Sequence, residues 1–283
     1  MSFSESVSEG RAQERIRRAS PGLNARRDRA DTASASGRSP GGSTGTDRML
    51  TRLAVAAVLV GVLASTAAAA PLVDERELLG TSREGRAIRV FHRGDPEETT
   101  VLVVGCIHGD ECAGLRIVER LLRGEPRHTI DLWVLPTLNP DGRAAHIRQN
   151  ARGVDLNRNF PFHWRSGARG RYYPGPRPAS ERETRIAMRL VQRISPGITI
   201  WFHQPLGLVD RSGGDARIER RYARLVRLPL VELGRLHGTA TSWENHRDPA
   251  STAFVVELPG GPLAPRDASR FASAVTELVA PRR

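Results

Sequence analysis

From residue 71 onward the chain alternates short, nearly continuous apolar runs with longer stretches whose apolar positions recur every three or four residues. The first pattern is that of strands covered on both faces, and the second is that of helices with one buried stripe. It predicts strands over 87–91, 99–105, 132–135, 198–202 and 252–258, and helices over 113–122, 181–194, 215–225 and 268–279. Strands and helices in this alternation imply a single α/β domain with a largely buried sheet. There is no internal repeat and no second low-complexity linker.

The first 70 residues follow a different pattern. Residues 1–47 are rich in Ser, Gly, Ala and Arg and nearly devoid of large apolar side chains, so no burial offsets the entropy of ordering them. Met49-Leu50-Thr51-Arg52 then leads into an apolar run from Leu53 to Ala64 and a small-residue run from Ser65 to Ala70. A basic start, an apolar core and an Ala-rich end make an export signal. The expectation is therefore an extension or mis-assigned start over 1–48, a signal peptide or membrane anchor over 49–70, and the folded domain over 71–283. Cleavage after Ala69 leaves a secreted protein. Without cleavage, the 18 residues from Leu53 to Ala70 suffice for an anchor with the domain facing outside.

The whole chain has 283 residues, 39% hydrophobic and 26% charged, which is ample for one core. A net charge of +12 raises the question of polyanion binding. Every Lys-or-Arg position is Arg, however, and the arginines are dispersed. That reads as compositional bias on solvated faces, and no nucleic-acid partner is expected.

The candidate chemistry begins where the run Val101–Gly105 enters Cys106-Ile107-His108-Gly109-Asp110-Glu111. An imidazole and a carboxylate three residues apart, at the carboxyl end of a strand, can converge on one ion, although alone the pair is a weak signal. Asn139-Pro140-Asp141-Gly142 follows the third strand, and then comes Arg148-Gln-Asn-Ala-Arg152-Gly-Val-Asp155-Leu-Asn157-Arg158-Asn-Phe-Pro161. Further along stand Ser180-Glu-Arg-Glu-Thr184, Trp201-Phe-His203-Gln-Pro205 and Val256-Glu257-Leu-Pro259.

In order and spacing these segments resemble the zinc carboxypeptidase family, and particularly its bacterial murein peptide amidase branch, over roughly residues 75–280. The resemblance implies a metallocarboxypeptidase-like fold, a mixed twisted sheet flanked by helices. It implies one zinc ion per chain held by His108, Glu111 and His203 with a position open for water, and Glu257 as general base. Arg148 would stabilise the oxyanion, with Arg152 as the competing choice. Asn157 and Arg158 would grip the substrate's free carboxylate, and Asp155 would fix the tautomer of His108. The expected partner is a peptide or muropeptide, acted on by a monomer.

One departure from the family stands out: the digestive carboxypeptidases carry a tyrosine on a loop before the general base, and 238–256 here contains none. The segment Trp243–Pro249 is expected to line the pocket for the terminal side chain, with Arg247 as a second carboxylate reader. Cys106 and Cys112 are expected to form a disulfide in an oxidising compartment, two buried thiols being the alternative. His92, His128 and His163 read as surface residues. The leading function is a murein-peptide amidase that cuts between γ-D-glutamate and a diamino acid. The alternatives are a general carboxypeptidase, an aspartoacylase-like deacylase, which would need a longer C-terminal part, and a non-catalytic wall-binding module.

Overall fold

The computed structural model describes residues 71–280. The extension expected over 1–48 and the signal or anchor over 49–70 lie outside the described residues. Eight strands form one sheet: β1 (Val73–Thr81), β2 (Ala87–Gly94), β3 (Thr100–Val104), β4 (Asp131–Leu135), β5 (Ile198–His203), β6 (Leu206–Asp210), β7 (Leu230–Val231) and β8 (Thr252–Pro259). Among the described residues six helices accompany them: α1 (Gly114–Leu121), α2 (Pro140–Ala145), α3 (Arg182–Ile194), α4 (Ala216–Val226), α5 (Ala240–Arg247) and α6 (Pro265–Val279).

The strand order is β1-β2-β4-β3-β5-β8-β6-β7. The inner strands β4, β3, β5 and β8 run parallel, while β2 and β6 flank them antiparallel. Side chains on β3 alternate between two cores, as the pleat requires. Val101 and Val103 pack with Ile117, Phe202, Tyr222 and Phe271 under α1, α4 and α6. Leu102 and Val104 pack with Trp201, Phe160, Ile186 and Leu190 under α3. All six residues of β5 are buried, which explains why its sequence reads as an unbroken apolar run.

The strands and helices expected from the apolar pattern are all present, with ends displaced by no more than three residues. α6 starts at Pro265 instead of 268, because Pro serves well in the first turn of a helix. Three strands and two helices were not visible in that pattern. β1 is a solvated edge strand with Asp74, Glu75 and Arg76 exposed, β6 carries Gly207, and β7 is two residues long. None of these offers an apolar run. Helices α2 and α5 are too short to show a period and are set by their caps. Asn139 accepts from the Gly142 N–H at the start of α2, and Thr239 accepts from the Ser242 N–H at the start of α5.

Among the described residues, no helix is long and apolar enough to cross a membrane.

Candidate active site

After β3 the chain turns to one side of the sheet, toward β4, while β5 lies on the other side, so a crevice opens at the carboxyl ends of β3 and β5. Open α/β sheets hold their ligands at such a switch point. His108 and Glu111 follow β3, and His203 ends β5. Glu257 stands opposite His203 in the β5–β8 register.

The turn carrying His108 is set by close packing. A Cβ on Gly109 would lie 2.0 Å from the backbone carbon of Gly142, so only glycine lets this turn rest on α2. Cys106 and Cys112 bracket the turn and are joined by a disulfide, with Cα atoms 4.9 Å apart. The expected pairing is therefore present.

His108 Nδ1 lies 2.9 Å from Glu111 Oε2, and His203 Nδ1 lies 3.1 Å from the same oxygen. The three ligand atoms all fall within 4.8 Å of one another. On its other side, His108 Nε2 meets Asp155 Oδ1 at 2.9 Å. Asp155 also caps the turn of Leu156–Arg158 by accepting from the Asn157 N–H, so one carboxylate orients both the imidazole and the segment carrying Asn157 and Arg158. Burial alone would raise the pKa of Asp155, but Arg148 and His108 hold it well below the usual carboxylate range. An ionised Asp155 only accepts, so the proton facing it sits on Nε2 and a neutral His108 turns a lone pair toward Glu111.

Burial pushes His203 down to about 4, which keeps it neutral at physiological pH, and its Nε2 is buried without a hydrogen-bond partner. Burial would raise Glu111 too, yet His108 and His203 beside it hold it far below its ordinary value. Two imidazole nitrogens and a carboxylate oxygen converge on one point, and with both rings deprotonated there the set fits a divalent cation and matches a zinc donor set.

Glu257 is half-buried, and its Oε2 is shielded from solvent without a hydrogen-bond partner. Burial first, and the neighbouring Glu111 second, push its pKa up to about 7. Together with Glu111, Arg148, Asn157, Arg158 and His203, it lines a cleft of about 470 Å³.

A family description for zinc carboxypeptidases matches residues 59–208, more than half of the chain. The chain belongs to the zinc carboxypeptidase family. The matched stretch includes His108, Glu111 and His203 and stops short of Glu257. Murein peptide amidase A of Escherichia coli K12 is 34% identical over 163 residues, covering 53% of this chain and 61% of that protein. The chain thus spans about three fifths of the length of that relative. The crystal structure of the murein-tripeptide amidase MpaA from Escherichia coli O157 superposes with a TM-score of 0.60 at 28% identity, covering 76% of this chain and 96% of that one. Carboxypeptidase A of Helicoverpa armigera, at 18% identity and a TM-score of 0.61 over 73% of this chain and 67% of that one, shares the fold.

The structure brings together the eight residues to which the resemblance gave a first-choice role, His108, Glu111, Arg148, Asp155, Asn157, Arg158, His203 and Glu257. Arg148 has a more engaged place than expected. Its Nε donates to Asp155 at 2.9 Å and its Nη1 to Glu111 at 2.5 Å, so it braces the ligands as well as facing the cleft. Arg152 does not compete, being half exposed and 3.8 Å from Glu181. Arg158 leaves its buried Nε unpartnered, while the side-chain oxygen of Asn157 accepts from the Ala240 N–H and docks α5.

The expectation for Trp243–Pro249 is corrected. Trp243 is buried against Phe160, and Glu244 accepts a hydrogen bond from Trp201; the cleft is instead lined from this region by Thr239, Thr241 and Ser242, and Arg247 is not part of it. A helix presents only one face to the cleft, and for α5 it is the N-terminal one. His92 is likewise no plain surface residue, since it stacks on Trp133 and bonds Asp131.

Sequence reasoning missed Tyr172, which lines the cleft beneath the guanidinium groups of Arg148 and Arg158, 5.1 and 5.5 Å from its ring centre. It sits in a loop without periodicity, and only the aromatic pair Tyr172-Tyr173 amid arginines marked it.

Proposed function

We propose that this chain is an exported zinc-dependent amidase that removes a terminal diamino acid from murein peptides by cutting its bond to γ-D-glutamate. The observation that carries this reading is one cleft holding the His108–Glu111–His203 cluster, the unpartnered acid Glu257 and the carboxylate-reading Arg158. Likeness to the murein peptide amidases supports the substrate, and the apolar segment after Met49 supports export.

Zinc bound by the three ligands supplies Lewis acidity toward water and the scissile carbonyl. Glu257 takes the proton of the attacking water at Oε2 and passes it to the leaving nitrogen. Its raised pKa suits a group that must both accept and release a proton near neutrality. Arg148 opposes the negative charge that develops on the carbonyl oxygen, held rigid by Asp155 and Glu111 so that no reorganisation is needed. Arg158 binds the terminal carboxylate through its planar fork, and Asn157 fixes the adjoining wall. Asp155 keeps His108 in the tautomer that leaves Nδ1 free for the ion.

The test is mass spectrometry of products after incubating the zinc-loaded chain with L-Ala-γ-D-Glu-meso-diaminopimelate and with ordinary peptides, using Glu257→Gln as the control. Release of free diaminopimelate, lost in the variant, is expected. Trimming of ordinary peptides alone would replace the murein substrate with a general carboxypeptidase activity, and no turnover of any peptide would overturn the enzymatic reading.

A further inference from the structure

The wall of the cleft away from the ligand cluster is built by two paired strand ends. In the parallel β6–β7 ladder, Val209 lies opposite Leu230 and Asp210 opposite Val231. The next residue on each strand is charged, Arg211 on one and Glu232 on the other, and the Arg211 N–H donates to the Val231 carbonyl at 2.8 Å, which extends the pairing. Arg211 Nη1 then meets Glu232 Oε2 at 3.3 Å. Both residues line the cleft with their side chains half exposed. Asp210 braces the arrangement, its Oδ1 accepting from the Leu233 N–H and its Oδ2 from the Ser212 hydroxyl, so both oxygens are already engaged.

The register also fixes how far this pair lies from the chemistry. Leu208 stands opposite Glu257 in the antiparallel β6–β8 ladder, and Arg211 comes three residues later, just past the end of β6. At about 3.3 Å per residue, that is roughly 10 Å from the general base, within reach of a long side chain and beyond a short one. The same cleft is also lined by the uncharged polar residues Ser212, Thr239, Thr241 and Ser242 and by the charged Asp210 and Arg235.

We infer that Arg211 and Glu232 read the far end of the terminal residue's side chain, and that they select one ending in both a carboxylate and an ammonium group. This rests on the amidase reading above and names the residues that decide which diamino acid it takes. The substrate carboxylate pairs with the Arg211 guanidinium and the substrate ammonium with Glu232, so one ion pair is exchanged for two. A side chain of a single charge breaks the resident pair and leaves one member without a partner, and an apolar side chain leaves the pair intact but gains nothing. Selection therefore works through both attraction and exclusion.

The test uses the full zinc-loaded chain with three peptides L-Ala-γ-D-Glu-X, where X is meso-diaminopimelate, L-lysine or L-norleucine. The wild type is expected to prefer diaminopimelate. Arg211→Met should lower kcat/KM at least tenfold for the diaminopimelate peptide with little change for the lysine peptide. Glu232→Gln should lower both and spare norleucine. Thermal melts check that the variants fold. Losses that are equal for all three peptides, or absent for all three, overturn this inference while leaving the amidase reading intact. If the wild type cleaves none of them, the amidase reading fails, and calorimetric titration of the three peptides into the Glu257→Gln chain decides the inference alone: tighter binding of the diaminopimelate peptide, lost on adding Arg211→Met, supports it, and equal or no binding overturns it.

Discussion

Glu257 stands directly across the parallel β5–β8 ladder from His203, so the proposed general base and one residue of the His108–Glu111–His203 cluster are neighbours on one sheet, held by backbone pairing instead of by a loop. His203 Nδ1 points to Glu111, while Glu257 Oε2 has no partner, which divides the two residues between ion binding and proton transfer. Glu257→Gln should therefore lower kcat by about 10² to 10⁴, the usual worth of a positioned base, while the zinc content measured by mass spectrometry stays at one per chain. Loss of zinc along with activity would show that Glu257 supports the ion instead of the proton.

Asp155 acts through His108. Removing its charge weakens the acceptor that holds the imidazole proton on Nε2, and takes from Arg148 one of its two carboxylate partners. Asp155→Asn should weaken zinc binding by about 10-fold to 100-fold, measured by competition with a chelator of known affinity. An unchanged affinity would mean that the turn geometry alone positions His108.

The Cys106–Cys112 disulfide closes a short loop that contains two of the three ligands. A loop this short is worth about 2 kcal/mol in the chain-entropy view of cross-links, and here that ordering falls on the metal turn itself. Reduction, or Cys106→Ala with Cys112→Ala, should lower the zinc affinity and the melting temperature together. A lower melting temperature with unchanged zinc affinity would confine the disulfide to a role in general stability.

The buried parallel strands were legible because a strand covered on both faces must be apolar throughout, and Val101–Val104 and Ile198–Phe202 satisfy that with Thr199 as the one polar position. The ligands were legible because motif order along the chain follows strand order at one end of the sheet. The wall of the cleft was not. Arg211 and Glu232 are 21 positions apart and meet only because β6 and β7 pair, and β7 is too short to leave a trace in the pattern. Tyr172 and the orientation of α5 depend on loop packing, for which neither period nor spacing exists. The misplacement of Trp243 has the same origin, since an aromatic residue near a site can equally well be the floor beneath it.

Glu244 lies on the buried face of α5, where its Oε1 accepts from Trp201 Nε1 at 2.7 Å. Burial pushes its pKa up from an ordinary 4.5 to about 7, the bonds from Thr199 and Trp201 only partly opposing the shift. The sign follows from proton binding: between these two values the folded chain holds a proton that the unfolded chain has released, so stability falls as pH rises from about 4.5 to 7 and levels off above that. The loss across this window is on the order of 3 kcal/mol. In Glu244→Gln the amide carbonyl still accepts from Trp201 and nothing titrates, so this part of the pH dependence disappears. Urea unfolding of both proteins in chelator, from pH 4.5 to 8, isolates it because every other group is common to the pair. The wild type should lose stability relative to the variant steadily up to pH 7, and two parallel curves would place the carboxylate of Glu244 in the ionised form throughout.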